Sequence, residues 1–524
     1  MPKTGLPLAR QLTPLEPHCM KDHPTLAPYK SLLDKSLDSQ RKAALAKRHA
    51  QGLRSARENL ADLCDANSFQ EYGQLAVAAQ RSRRSIEELR EHTAADGVIT
   101  GTAMVNAALF PGKNCRTAII VNDYSVLAGS QGFFHHQKID RIVDLARQHA
   151  LPAIMLTEGG GGRPGDVDVR TQIAGLNVNT FANWAVLGES VPRIAVNNGF
   201  CFAGNAALFG AADITIATRN SWIGMAGPAM IEGGGLGSFA PTDIGPVEAQ
   251  LANGTVHLLA EDEAHATSLA RHTLGYFQGD LGHFKVAGQH GLRAAMPDNR
   301  RFSYKVRDIL HTVFDTDTVL ELRSSYGRPL LTALARIAGK PVGVIANDTR
   351  ELGGAIDAEA ADKACEFMQL CSRFNLPLVS FCDTPGFMVG PDSERQAAVR
   401  RMSRTFSVGS TLRTPVVCIF LRKGYGLGAM AMAGGSFAVP VYSAAWPTGE
   451  FGGMGLEGAV QLGFRKELDA CASEPERDAL FDRLVEEAYQ RGKATEAAAF
   501  LEIDAVIDPA DTRDVILRAL HTAA

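Results

Sequence analysis

Two short turns hold the residue types that could do chemistry. One is Gly199-Phe200-Cys201-Phe202-Ala203-Gly204-Asn205 and the other is Gly424-Tyr425-Gly426-Leu427-Gly428-Ala429. Each follows an apolar strand candidate and opens a helical stretch. At such a junction, backbone N–H groups that lack carbonyl acceptors sit beside the positive end of a helix dipole. A pair of these amides can hold an oxygen on which negative charge develops, which is worth about 3 kcal/mol of transition-state stabilisation. The alternative is a tight strand-to-helix junction that merely needs small residues. Two equivalent turns in one chain favour the oxyanion reading. Gly204 follows Pro192 at nearly the spacing by which Gly428 follows Pro415, which marks the two glycines as counterparts.

Other chemistries are poorly supplied. Gly159–Gly162 with Arg163 lacks the Gly-Lys-Ser/Thr ending of a phosphate-binding P-loop. Gly424-x-Gly426-x-Gly428 is not the dinucleotide fingerprint, and no acidic ribose partner follows it. There is no Gly-x-Ser-x-Gly nucleophile elbow. His135 and His136 are adjacent rather than at ligand spacing, so no metal site is expected. Cys201 reads as a small packed thiol rather than a nucleophile. Arg81, Arg83 and Arg84 form a short basic cluster, either a solvated face or a means of neutralising the phosphates of a carried cofactor. Without a triad, a metal or a nucleotide loop, the chemistry falls to backbone dipoles.

The elements that must position these turns repeat at one constant offset along the chain. Asn122-Asp123, Gly129, Pro152, Glu158, Gly161 and Gly165 recur as Asn347-Asp348, Gly354, Pro377, Asp383, Gly386 and Gly390. Between them, Ile139, Ile142, Val143 and Ala146 have the spacing of a buried helical face, and Ala364, Phe367, Met368 and Cys371 match them. Strand candidates are Ala118–Val121, Ala153–Leu156, Arg193–Val196 and Ile214–Ala217 in the first copy. In the second they are Val342–Ala346, Leu378–Phe381 and Val416–Phe420. Strand, helix, strand at this spacing predicts βαβ units with ligands at strand carboxyl ends. Residues 1–30 read as a proline-rich irregular arm, and 31–92 as surface helices dense in Lys, Arg, Glu and Ala. Near the end, the segment from Ile503 to Arg513 reads as a short strand followed by a Pro-started helix.

The bulk properties fit two globular domains. The chain has 524 residues, with 45% hydrophobic and 21% charged side chains, a net charge of −4 and 51 glycines. That charge leaves no broad basic field for nucleic acid. No run of about 18 apolar residues exists to span a membrane. The first twenty residues carry Pro2, Pro7, Pro14 and Pro17 and no apolar segment of the secretory kind. Nine cysteines without a Cys-x-x-Cys pair indicate reduced thiols and no structural zinc. A soluble, cytoplasmic protein is the expectation.

Longer motifs carry a family resemblance. They are Asp123-Tyr124-Ser125-Val126-Leu127-Ala128-Gly129-Ser130-Gln131-Gly132, the Gly199–Asn205 turn, Phe381-Cys382-Asp383-Thr384-Pro385-Gly386-Phe387, and Arg422-Lys423-Gly424-Tyr425-Gly426. Ala445-Trp446-Pro447-Thr448, Met454-Gly455 and Ile507–Arg513 complete the set. From about residue 30 onward, the chain resembles the carboxyltransferase (β) subunits of biotin-dependent acyl-CoA carboxylases, the propionyl-, methylcrotonyl- and geranyl-CoA group.

The resemblance implies an α/β fold of two tandem crotonase-like ββα-superhelix domains related by duplication. Residues 1–92 would form an N-terminal arm with helices, 93–288 the acyl-CoA-side domain and 300–524 the biotin-side domain. It implies a homohexamer with active sites between the first domain of one subunit and the second of another, and no metal. Carboxybiotin, carried on a separate carrier domain or subunit, would release CO2, and the biotin oxyanion would take the proton α to the thioester. The enolate would then attack CO2. Amides at Ala203 and Gly204 would hold the thioester oxygen, and those at Leu427 and Gly428 the biotin ureido oxygen. Arg81, Arg83 and Arg84 would serve the coenzyme A phosphates, and Gly426, Ala429 and Met430 the biotin and acyl side. The implied partners are a biotin carboxylase and a biotin carrier, since the Met-Lys-Met biotinylation signature is absent here.

One departure concerns the substrate. Propionyl-type enzymes read Y-G-G-A-Y-D-V-M where this chain reads Tyr425-Gly426-Leu427-Gly428-Ala429-Met430-Ala431-Met432. Met430 replaces an aspartate that influences acyl choice, and its flexible apolar side chain suits a larger or different acyl group. Two further readings stay open. One is a biotin-linked acyl-CoA decarboxylase of the same architecture, and the other a non-catalytic scaffold that binds acyl-CoA.

Overall fold

The computed structural model describes residues 23–169 and 175–523. The irregular arm expected over residues 1–30 falls mostly outside them. From Leu26 the chain is already helical, with helices Leu26–Asp34, Lys42–His49, Ala56–Leu63 and Ile86–His92 ahead of the first core. Ser55 and Ser85 start the last two through reciprocal capping boxes with Glu58 and Glu88.

Two sheets follow. The first runs in chain order through β1 (Gln70–Tyr72), β2 (Val98–Met104), β3 (Arg116–Asn122), β4 (Ala153–Leu156), β5 (Arg193–Phe202), β6 (Ile214–Gly224) and β7 (Leu258–Ala260). Strands β1 to β3 are antiparallel, and β3 to β7 are parallel. The second sheet uses β8 (Leu320–Leu322), β9 (Leu330–Ile337), β10 (Lys340–Asn347), β11 (Leu378–Thr384), β12 (Val416–Tyr425), β13 (Tyr442–Ala445), β14 (Glu450–Gly452) and β15 (Ala505–Val506). Its order is β8-β9-β10-β11-β12-β13-β15, with β14 also on β12. The two match strand for strand, except that β13 and β14 together take the place of the long β6.

The parallel strands are continuous apolar runs because both faces are covered. Val121, Ile154 and Val196 are buried in one layer, and Ile120, Met155 and Leu151 in another. The anticipated helical faces are present: Ile139, Ile142, Val143 and Ala146 lie buried on Phe133–His149, and Ala364, Phe367, Met368 and Cys371 on Ala358–Arg373. Beyond the βαβ units expected from the spacing, each sheet adds antiparallel strands, and β2 and β9 are buried on both faces and so lack the alternation that marks a half-exposed antiparallel strand.

Residues before 92 are more than an arm. Gln70, Glu71 and Tyr72 pair with Thr102, Gly101 and Thr100, so β1 is the edge of the first sheet. Arg48 reaches the end of β4, donating to both oxygens of Glu158 at 2.8 and 3.2 Å. The two sheets share a core. Phe277 and Phe374 meet edge to face with ring centroids 5.4 Å apart, and Arg336 donates to the carbonyls of Gly275 and Gly279. Among the described residues, no helix is long and apolar enough to cross a membrane.

Candidate active site

The first turn lies where β5 leaves the sheet and passes directly into helix Gly204–Gly210. Ala203 sits between them at φ 51° and ψ −120°, a conformation that costs an L-residue energy and tends to mark functional turns. Its N–H is already committed to the carbonyl of Gly224 at 3.0 Å. This corrects the expectation that Ala203 and Gly204 form the donor pair. Gly204, as first residue of the helix, keeps a free N–H because no carbonyl precedes it in the helical pattern.

A second amide comes from the glycine-rich loop after β4. Gln131 and Gly162 form an isolated parallel bridge. It uses the N–H of Gln131 (to Gly161) and the N–H of Arg163 (to Gln131), but not that of Gly162. The loop touches the turn: a Cβ on Gly161 would lie 2.7 Å from the Cβ of Ala203. Asn205 holds the contact by accepting from Gly161 N–H at 3.0 Å. Arg163 anchors the far side of the loop to Asp96, Asp166 and the carbonyl of Ser130.

The second copy repeats this with a shift. Ile356 and Phe387 form the matching bridge, displaced from Gln131 and Gly162 by the same offset that carries Asn122 onto Asn347. The strands leading to the helices, however, start at Arg193 and Val416, and that offset is two positions shorter. Gly426, at φ +56°, therefore corresponds to Ala203, Leu427 to Gly204, and Gly428 to Asn205. Gly204 and Gly428 are not counterparts; the spacing from Pro192 to Gly204, laid off from Pro415, ends on Leu427. Gly428 is small for a different reason. A Cβ there would lie 2.6 Å from the carbonyl carbon of Gly386 and 3.0 Å from the Phe387 nitrogen. The helix start rests on the Gly386-Phe387 backbone, where the first copy inserts the Asn205 side chain.

Gly426, Leu427 and Met430 line a cavity of about 760 Å³, walled also by Phe437, Phe451 and Phe500. Leu427 is 59% exposed. Ala429 points into the core and is fully buried, so its side chain lies off the cavity wall, contrary to the expected cofactor contact. Arg81, Arg83 and Arg84 are exposed on the stretch before helix Ile86–His92. Asp168 accepts from the N–H groups of Arg81 and Ser82 at 2.6 and 2.9 Å, which sets the basic cluster beside the segment that leaves the glycine-rich loop.

Side chains missed at the sequence level hold the second turn. Asp383, fully buried at the end of β11, accepts from Tyr304 Oη at 2.9 Å, Arg422 Nε at 3.1 Å and Lys423 N–H at 3.1 Å. The repeat, which pairs Asp383 with Glu158, was the available signal. Glu158 has its own partner in Arg48, yet burial pushes its carboxyl up to about 7. Cys201 is buried, with its thiol pushed up to about 12 by desolvation, which leaves it inert as a nucleophile. His135 is held neutral by burial. Among the described residues, no group of three or more His, Cys, Asp or Glu could hold a metal ion.

Comparison with known proteins decides the family. A model of the carboxyl transferase domain matches residues 47–524. The chain belongs to the carboxyl transferase family. It is an enzyme, a biotin-dependent acyl-CoA carboxyltransferase. A curated carboxyl transferase, the methylmalonyl-CoA carboxyltransferase 12S subunit of Propionibacterium freudenreichii subsp. shermanii, is 32% identical over 91% of this chain and 90% of its own length. Among solved structures, a single-chain, multi-domain long-chain acyl-CoA carboxylase superposes with a TM-score of 0.90 at 53% identity. It covers 95% of this chain, which spans about half (49%) of that longer protein. The transcarboxylase 12S crystal structure, described as a hexamer assembly with methylmalonyl-CoA and methylmalonic acid bound, has a TM-score of 0.81 at 28% identity, covering 95% of this chain and 94% of that one.

Proposed function

We propose that this carboxyltransferase moves CO2 from a carried carboxybiotin to the α-carbon of a long-chain acyl-CoA, with one amide pair per copy as its catalytic machinery. The observation that carries the reading is the repeated junction. In each copy a bridge leaves one loop N–H unspent, at Gly162 and at Phe387, beside a helix start that presents the N–H of Gly204 or of its positional counterpart Leu427. In the first copy, Gly204 and Gly162 hold the thioester oxygen as the α-proton leaves and charge moves onto it. Arg81, Arg83 and Arg84 take the phosphates of coenzyme A. In the second copy, Leu427 and Phe387 hold the ureido oxygen of biotin. The residues present fit that ring: Gly424, Gly426, Gly452 and Gly453 leave the cavity free of side chains beside Leu427. The biotin group supplies CO2 and the base. The chain itself contributes amides, orientation and exclusion of water.

The long-chain assignment draws on one side of the cavity, where Leu427, Met430 and Phe437 form an apolar surface opposite the polar Arg491, Glu496 and Glu502, and on the likeness to the long-chain enzyme. Two crotonase-like domains, a homohexamer with sites shared between subunits, a cytoplasmic setting, and biotin carboxylase and carrier partners complete the proposal. The hexamer is supported by the transcarboxylase likeness. The test is a CO2-fixation assay of the reconstituted holoenzyme across acyl-CoA lengths. Activity rising with chain length supports the reading. Net release of CO2 from the carboxylated acyl-CoA as the favoured direction would move it to a decarboxylase, and inactivity on every acyl-CoA would leave a scaffold.

A further inference from the structure

A second cavity, of about 460 Å³, opens between the two units at the opposite end of the first sheet from the turns. Arg193, Thr215 and His257, which line it, lie at the starts of β5, β6 and β7, whereas Gly204 follows the end of β5. The second unit closes it with Arg323, Lys363 and Arg373. Four cationic side chains thus face two carboxylates, Asp213 and Glu366.

The partners show which donors remain. Every nitrogen of Arg193 is engaged: Nε and Nη2 donate to Asp213 and Nη1 to the Trp184 carbonyl. Arg373 uses only Nη1, on Asp213 and the Gly188 carbonyl. Arg323 donates through Nη1 to Glu366, while its Nε is buried with no partner. Such an orphaned guanidinium N–H costs about 1–3 kcal/mol unless something accepts from it. Lys363 donates to the carbonyls of Arg323 and Tyr326, at 2.9 Å each, and has a third N–H to give. His257 joins from the first unit, its Nδ1 3.2 Å from the Thr215 nitrogen and 2.7 Å from Thr215 Oγ1.

We propose that this inter-unit cavity is a binding site for a phosphoryl dianion, free or as a phosphate ester, held by Arg323, Arg373, Lys363 and His257. The lining comes from both units, and guanidinium forks beside an ammonium are the groups that bind a phosphoryl oxyanion through charge-assisted hydrogen bonds. Burial, with Arg307 and Arg323 nearby, pulls Lys363 down to about 7 against Glu321 and Asp357. The ammonium is therefore short of negative charge that the ligand would supply. Helix Gly204–Gly210 spans the two sites, with Gly204 at the turn and Gly210 on the cavity wall.

The test is calorimetric titration of the full chain with inorganic phosphate and, in a separate arm, with adenosine diphosphate, at fixed ionic strength against chloride. Binding of either ligand, weakened at least tenfold by Arg323→Gln and by Arg373→Gln, is expected. The arm that binds more tightly identifies free phosphate or an ester as the source. Arg373 is only partly buried, so its variant keeps the fold and decides alone if Arg323→Gln does not assemble. No binding above the chloride control, or equal binding by wild type and Arg373→Gln, overturns the site.

Discussion

Gly428→Ala isolates the geometry of the second turn. Its φ is ordinary helical, so alanine adds no backbone strain. Inside a helix alanine is intrinsically better than glycine by about 1 kcal/mol. The whole penalty is therefore collision. The new Cβ would lie 2.6 and 2.7 Å from the carbonyl carbon and Cα of Gly386, where ordinary contact is 3.4–4 Å. The helix start and the Gly386-Phe387 backbone must part by about 0.8 Å to restore that contact, and neither side is a rotatable side chain. Overpacking of this kind costs about 1–3 kcal/mol, so global stability changes little once the helical gain is counted. Catalysis should change far more. Parting those backbones moves the Phe387 amide relative to the Leu427 amide, and a misplacement near 1 Å costs about 100-fold. We expect kcat for carboxyl transfer to fall by about two orders of magnitude, with KM for acyl-CoA nearly unchanged if, as proposed, the first copy holds the thioester. Gly463→Ala, where a Cβ meets nothing within 4 Å, is the control. A Gly428→Ala enzyme within threefold of wild-type kcat would refute the two-amide reasoning. Gly204→Ala meets the rotatable end of Gln131 first, at 2.1 Å, and so should lose less, about tenfold.

Met430→Asp places a carboxylate on the side of the cavity formed by Leu427 and Phe437 and should cut kcat/KM for long-chain acyl-CoA at least tenfold while sparing short chains; a chain-length profile that keeps its shape would remove Met430 from acyl selection. Glu158 gives a pH signature. Its carboxyl rises from an ordinary 4.5 to about 7 on folding, so the native state binds more protons in that window and stability falls as pH rises through it. At about 1.4 kcal/mol per pH unit the loss reaches at most about 3 kcal/mol, and denaturant midpoints of Glu158→Gln at pH 5 and 8 should lack the slope that wild type has. Asp383→Ala strands the buried Arg422 guanidinium and should destabilise by about 3–5 kcal/mol in thermal or denaturant unfolding, whereas Tyr304→Phe, which removes one hydrogen bond, should cost about 1 kcal/mol.

The repeat was legible because its period is carried by residues with local jobs. Pro152 and Pro377 each precede a parallel strand, and Gly129 and Gly354 both take positive φ beside the next loop. A Cβ on either would strike a carbonyl oxygen, that of Glu158 at 2.6 Å or that of Asp383 at 2.4 Å. Such constraints write themselves into single residues at fixed spacing. The parallel strands and the helices between them were visible for a similar reason, since buried runs and a 3.6-residue period are local patterns. Donor identity is not local. That Ala203 spends its N–H on Gly224 depends on the course of β6, further along the chain. That Gly162 and Phe387 keep theirs depends on bridges to Gln131 and Ile356, formed by loops that carry no pattern of their own. The slip between the loop offset and the strand offset is also invisible to a count that trusts glycines, because Gly428 is small for packing and Leu427 stands where a glycine was expected. Only the backbone amide matters at that position, and any residue but proline supplies one. A side chain is then free to vary there, so under the proposed function Leu427 and Met430 would shape the acyl side of the cavity without disturbing the amide donors.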